Sequence, residues 1–561
     1  MLSRFRLVVV FTLFSIPFFA QKITTAEPTK VDTLELVEKK VTKAEIENWI
    51  KANHLDTNEH IFGASPLHID YGDIYHNGYF YVGRSEMNMP ERNGFETLSG
   101  IFSPALYYGY FNSLYQVKEY QRTVNYTNNS YPFPPVLTSL KAGLGDYDHH
   151  YARINLSKNE LFSYPYLEYQ GDFLVQNGYW TDITSTETSM KHRLSQSGKL
   201  VTWELEFANW KKDIAMNELL PVYWQSTNFT INHNLQQFYA SFALPWFKLK
   251  LLQESESANT NLFYKEYNRN STRLQFSAQQ KIGFLQTEEL YEHNWNKGIS
   301  CFCGFYNAEE YQDKLGFGFQ INNPVKINLT ADCLDWKRYR LFANADYSLK
   351  NFNLGATHEH KMGDDSSVLK VKDIFNADGE LDLIDISVSQ ESSVYCSYNL
   401  FNIKPLVAVG TREIEQEAEN SWLNIKKQQP FLRLAMDVNY SWKNWLITAR
   451  PEWVISKYYP SLTENPEYRF HSVQQIKYIL PYDNAVVVGC DIYGHSEYYV
   501  ANALNPYLIE SSTMLDAWAG INVGNLFELR TGFKNVLSSS LYGTYPVPVS
   551  VYIDVLWLYL N

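Results

Sequence analysis

The chain has 561 residues with 48 Lys and Arg against 61 Asp and Glu, and its net charge of −13 lacks the basic footprint of a nucleic-acid binder. Beyond the first twenty residues no apolar run of ~18 residues occurs, which excludes membrane helices. Yet 16% of residues are aromatic, with 42 Tyr and 14 Trp, and the five cysteines are an odd number that cannot all pair with one another.

Residues 1–20 read as a signal peptide: Arg4 and Arg6 precede an apolar run over 7–19, with cleavage expected after Ala20. Residues 21–65 form a polar periplasmic segment with one short helix. There Thr42 and Glu45 make a capping box, and Ile46, Trp49 and Ile50 recur at helical spacing. Residues 66–135 hold aromatics, glycines and prolines without strict alternation, and suggest a reduced plug-like segment. The run Tyr131-Pro132-Phe133-Pro134-Pro135 cannot be a central strand, so it marks a boundary.

From residue 136 to residue 561 the pattern has a period of two. After a turn at Ser197-Gly198, Val201, Trp203, Leu205 and Phe207 alternate with Thr202, Glu204 and Glu206. An internal echo follows, Tyr347-Ser348-Leu349-Lys350-Asn351-Phe352 and Tyr440-Ser441-Trp442-Lys443-Asn444-Trp445. In each, aromatics flank a Lys-Asn turn whose Asn tolerates left-handed backbone. Asp378-Gly379 reads as a further turn of this kind. Beyond the second echo, Trp445, Ile447, Ala449, Trp453 and Ile455 oppose Thr448, Arg450, Glu452 and Ser456.

Near the end, Gly524-Asn525 joins an apolar-faced strand to one where Phe527, Leu529 and Phe533 oppose Glu528, Arg530 and Lys534. Then Val549, Val551, Ile553, Val555, Trp557 and Tyr559 oppose Ser550, Tyr552 and Asp554. One apolar face, one ionisable face and aromatics at the ends are what a wall between lipid and a wet lumen requires. The expected fold is therefore all-β, a large closed antiparallel transmembrane barrel of about 22 strands (range 20–26). The lumen candidates are Glu204, Glu206, Arg450, Glu452, Glu528, Arg530, Lys534 and Asp554. Short turns should face the periplasm, and residues 412–430, 457–467 and 535–548 the medium.

Sites of other chemistry fail on geometry. His471-Ser472 and His495-Ser496 suggest a hydrolase, but adjacent strand residues face opposite sides of a sheet. His358-Glu359-His360 and the group Asp146, Asp148, His149 and His150 lack the three or four ligands that fix a metal. Residues 376–385 partly mimic a calcium loop, with Ile374 in the first ligand place; a hairpin turn explains them better. Cys301 and Cys303, on one face of an expected strand, are poorly placed to bridge each other. Glu413, Glu415, Glu417 and Glu419 read as an acidic rim loop. No catalytic, metal or cofactor role is assigned.

The chain resembles the TonB-dependent receptors of Gram-negative outer membranes. The resemblance lies in Phe527-Glu528-Leu529-Arg530-Thr531-Gly532-Phe533-Lys534-Asn535-Val536, the loop holding Tyr545-Pro546-Val547-Pro548, and the final strand. Gly143-Leu144-Gly145-Asp146-Tyr147 with Tyr151-Ala152-Arg153-Ile154-Asn155-Leu156 looks like that family's first barrel hairpin. Asp32, Thr33, Leu34, Glu35, Leu36 and Val37 look like its TonB box, and 103–109 like a degraded plug motif. The family's Arg-Gly plug motif is missing. The resemblance implies transport of a solute across the outer membrane, with outer-membrane lipid, the barrel assembly machinery and TonB as partners. The alternative class is a passive porin-like channel or structural barrel without energy coupling.

Overall fold

The computed structural model describes most of residues 131–561, apart from portions of the connections between strands. Before them it describes Glu45, Ile46 and six short strands between Ile74 and Asn128. The signal segment, residues 32–37, the rest of the expected helix and Cys301–Cys303 lie outside the described residues; Glu45 and Ile46 are helical.

Twenty-two strands close into one antiparallel barrel, each bonded to its neighbour in sequence. The first, Leu137–Gly145, pairs with the last, Ser550–Leu560, through nine aligned residues from Tyr552↔Gly145 to Leu560↔Leu137. Closure leaves the barrel with no unpaired edge, the condition for placing strands in hydrocarbon. The segment before it adds a four-stranded sheet of Phe95–Glu96, Glu91–Arg92, Thr123–Asn128 and Tyr115–Tyr120, and a hairpin of Ile74–His76 with Tyr79–Tyr81. No alternation in the sequence announced these short strands.

The two rims differ. One carries tight connections: Pro245-Trp246, Gly283-Phe284, Lys350-Asn351, Lys443-Asn444 and the turn at Gly524. Glycine supplies positive φ at Gly283 (+62°) and Gly524 (+59°). In the Lys-Asn turns, lysine rather than asparagine is left-handed, with φ of 51° at Lys350 and 52° at Lys443. Positive φ at the first central residue is the pattern of a II′ turn, so Asn is not the strained residue there. Aromatics ring this rim: Trp445 lies 4.6 Å from Tyr478, Trp246 lies 5.9 Å from Phe247, and Lys443 Nζ sits 5.0 Å over Trp442.

The other rim carries the long connections, two expectations about which need correction. The turn expected at Asp378-Gly379 lies outside the described residues, but the short strands on either side, Ile374–Phe375 and Leu381–Asp382, pair with each other within the long connection after Phe352–Met362 and not in the wall. The acidic run is no loop either. Ile403–Ala418 carries Glu413, Glu415 and Glu417 within a strand paired to Ile425–Trp442. Alternation of Glu413, Glu415 and Glu417 with Ile414 and Gln416 suits an extended strand that outruns the apolar band.

Candidate functional site: the inner wall of the barrel

Each strand sorts its side chains between two faces. On Ser550–Leu560, Val551, Ile553, Trp557 and Tyr559 are exposed, whereas Tyr552, Asp554, Leu556 and Leu558 are buried. On Phe527–Lys534, Leu529 and Phe533 are exposed while Glu528 and Arg530 are buried. The exposed face is apolar on strand after strand, so it is the outer surface of the cylinder and suits hydrocarbon. The buried polar face is the inner wall.

At the seam the inner wall is built from aromatic rings laid over glycines. A Cβ on Gly143 would fall 2.2 Å from the Tyr151 ring, and one on Gly532 would fall 2.1 Å from the Tyr552 hydroxyl. One on Gly489 would lie 2.4 Å from Trp518. Each pair is a directly opposed residue pair on neighbouring strands. The rings fill gaps that only glycine leaves. The Tyr151 hydroxyl donates to Asp554 Oδ1 at 2.8 Å, tying the second strand to the last.

From this seam a polar belt runs along the closed arc, here the strands from Ser512–Val523 through the seam to Leu285–Ser300. Arg530 contacts Glu528, both buried. Arg153 grips Asp172 with two donors at 2.9 and 2.7 Å, and Lys191 Nζ lies 3.9 Å from the same carboxylate. Arg193 reaches Glu168 at 3.4 Å and Glu204 at 4.0 Å. Trp210 Nε1 donates to Glu187 at 2.8 Å, and Gln237 donates to Glu254 at 2.6 Å. Asp172 and Gln170 are wholly buried. Charges this dry persist only when paired, because an unpartnered buried ion costs several kcal/mol (about 3–5 on loss of one partner).

The opposite or open arc comprises the strands from Tyr306–Asn322 to Tyr468–Ile479, and its inner wall is wetter. Arg433 pairs with Glu452 at 3.0 Å and Arg450 with Asp437 at 3.7 Å, all four side chains about 40% exposed. Lys314 and Asp332 at 3.6 Å are intermediate, as is Arg340, whose partner Glu359 at 2.7 Å is buried.

The chain enters the barrel at a defined point. Tyr131 is fully buried, and its main-chain N–H donates 2.7 Å to Glu168 Oε1 on the inner wall. Its hydroxyl donates 2.7 Å to the Pro135 carbonyl, its ring meets Phe133 edge-on at 5.6 Å, and burial pushes its phenol up. Asn159 fixes the next residues, its amide donating to Pro132 O at 3.1 Å and its N–H to Phe133 O at 3.3 Å.

The wall thus receives the sequence candidates unevenly. Glu206, Glu528, Arg530 and Asp554 are buried in the closed arc, with Glu204 beside Arg193. Arg450 and Glu452 stand in the open arc. Lys534 ends its strand, and the structure describes nothing of its side chain. Sequence reading missed Arg153, Asp172, Lys191 and Tyr131. Tyr151, Arg153, Asn155 and Ser157 do alternate with Ala152, Ile154 and Leu156, and that pattern was the available signal. The histidine pairs are dispersed: His358 Nδ1 lies 2.8 Å from Ser392 Oγ, and His360 Nε2 lies 3.4 Å from the Tyr339 hydroxyl. Ser472 is buried, and His495 Nδ1 faces the Ser496 carbonyl at 2.8 Å rather than a hydroxyl. Among the described residues no three His, Cys, Asp or Glu side chains converge as a metal site.

No family model and no curated protein matches the sequence. Solved structures do match its fold. FpvA of Pseudomonas aeruginosa, bound to heterologous pyoverdines, aligns with a TM-score of 0.60 at 12% identity, over 84% of this chain and 80% of that one. The siderophore receptor PirA of Pseudomonas aeruginosa aligns at 0.59 and 10% identity, over 87% and 93%. The siderophore receptor PiuA of Acinetobacter baumannii aligns at 0.58 and 10% identity, over 84% and 89%. The fold is the one these siderophore receptors share. A closed barrel with an apolar outer band presents a surface suited to hydrocarbon. At such identities the barrel fold is what is shared.

Proposed function

We propose that this protein is an outer-membrane receptor that takes a solute across the membrane through a lumen occupied by its own N-terminal segment. The observation that carries the reading is the buried Tyr131, bonded to the inner-wall Glu168. A chain that starts its barrel from inside the wall has its preceding residues on the lumen side of the mouth. The dryness of the closed arc supports the same reading. A cylinder of twenty-two strands encloses more space than its own side chains fill, so bare inner-wall groups would be wet. Residues 71–133 are then the plug. Energy coupling would run through Asp32, Thr33, Leu34, Glu35, Leu36 and Val37, extended in the periplasm and added as a strand to TonB.

Single-channel recording in planar bilayers tests the plug. The intact protein should conduct poorly, and deletion of residues 21–130 should open a large pore. Free conduction by the intact protein would replace the receptor with a porin. Leu34→Pro tests the coupling, since proline removes a backbone donor from the added strand. It should abolish energised uptake while leaving the barrel assembled, as judged by heat-modifiable migration on gels. Normal uptake by that variant would refute the box.

A further inference from the structure

One carboxylate stands where the outer face is otherwise apolar. Glu289 lies four residues above the short turn that precedes Leu285–Ser300, about 13 Å along the strand. It shares a face with the exposed Tyr291 and is directly opposed to the exposed Phe317 on the next strand. At the same count from their own short turns, the outer face carries Leu251, Leu329, Val394 and Val407. Among the described residues, every other Asp, Glu, Lys or Arg on this face lies at a strand end or at least nine residues above a short turn. Glu289 is exposed, and no ion pair or side-chain hydrogen bond holds it among the described residues. An ionisable group left bare in hydrocarbon is costly, so its position marks a contact.

The neighbouring strands show what kind of contact. Two strands away, Gln253 is exposed on the outer face of Phe247–Thr260, six residues above its turn. Between the two runs Lys265–Ile282, whose outer face carries Ala278, directly opposed to Glu289, and the exposed Gln280. An acceptor thus lies on one side of this strand and an amide donor on the other, with a small residue between them. We propose that this face packs against a second copy of the chain, related by a two-fold axis that passes over Lys265–Ile282. Both copies stand the same way up in a membrane, so the axis runs along the barrel and residues at similar height meet. The rotation brings Glu289 against Gln253 of the partner subunit, and Gln253 against the partner's Glu289, so each carboxylate accepts from an amide. Their long side chains span the small difference in height. Gln280, near the axis, meets the partner's Gln280, and an amide that both donates and accepts can satisfy its own copy. Ala278 lets the two walls approach closely. Complementarity of a face to itself is what an isologous contact requires, and it favours a second copy over a different protein.

The proposal rests on the barrel spanning a membrane and not on its being a receptor, so either reading can fail alone. Ala278→Cys and Val488→Cys are made separately in a full-length chain whose five cysteines are changed to Ala, and membranes holding each are treated with a short bis-maleimide. Ala278→Cys should link to a species of twice the mass. Val488→Cys, exposed at similar height on the opposite side of the barrel, should not. In the Ala278→Cys chain, Glu289→Leu should lower the linked fraction at least threefold. Glu289→Gln should preserve it, because an amide still bonds to Gln253 of the partner subunit. Heat-modifiable migration identifies variants that have kept the barrel. No adduct at position 278, an adduct with a different protein, equal linking at position 488, or indifference to Glu289→Leu would each overturn the proposal.

Discussion

The two arcs of the inner wall use the same residue types for different ends. In the closed arc, Arg153, Asp172 and Lys191 are packed dry and bonded to one another. In the open arc, Arg433, Glu452, Arg450 and Asp437 form pairs of similar length that remain wet. Burial therefore distinguishes a wall that holds something in place from a wall that leaves room for something to move. Pairing distance alone would not reveal it.

The largest effect expected follows from that difference. Asp172→Asn would leave Arg153 and Lys191 without their shared carboxylate and should cost about 3–5 kcal/mol. Asp437→Asn, in the open arc, should cost about 0–1 kcal/mol. Urea titration of refolded barrels by gel migration reads both, and equal costs would erase the distinction between the arcs.

The faces of the sheet give the next effect. Lys in place of Ile553, on the outer surface, should cost about 2–4 kcal/mol and impair assembly. Lys in place of Thr448, on the inner face of the open arc, should be tolerated. Packing at the seam comes third. Gly143→Val would drive a side chain into the Tyr151 ring and should cost about 1–3 kcal/mol by the same titration. Gly283→Ala meets open space and only the strain of φ +62°, so about 1 kcal/mol is expected.

The fourth prediction has no energy scale and concerns orientation. A Cys placed at Glu417 should react with an impermeant thiol reagent on intact cells, and one at Asn444 should not. Inverted labelling would turn the barrel over and exchange the roles of its rims.

Much of this wall was legible because a strand's period of two is a local property. Leu529 and Phe533 against Glu528 and Arg530 could be sorted without knowing what lay on the next strand. What could not be read was anything dependent on register or depth. Arg153 and Asp172 meet only because Asn155, not Arg153, is directly opposed to Asp172, a relation set by barrel shear. Glu206 and Glu452 look alike in sequence, yet one is dry and the other wet. The Lys-Asn turns were recognised, but which residue took the left-handed backbone was decided by turn type. The strands flanking Asp378-Gly379 pair inside a long connection and not in the wall, since a hairpin there has the same composition as one between wall strands.

The contact between Tyr151 and Asp554 also bears on how the barrel comes to exist. Its two residues are 403 positions apart in the chain. Every other wall pairing joins strands adjacent in sequence, so hairpins can zip locally, one after another. The seam alone must wait for the ends of the sheet to meet. The entropy of joining ends so distant is on the order of 5 kcal/mol before any bond is gained, unless the intervening strands are already ordered. Closure therefore follows the ordering of the intervening strands, and until it occurs the first and last strands are bare edges. Asp554→Asn should accordingly leave hairpin formation unchanged and prolong the life of the unclosed sheet, visible as a lag between strand content and heat-modifiable migration.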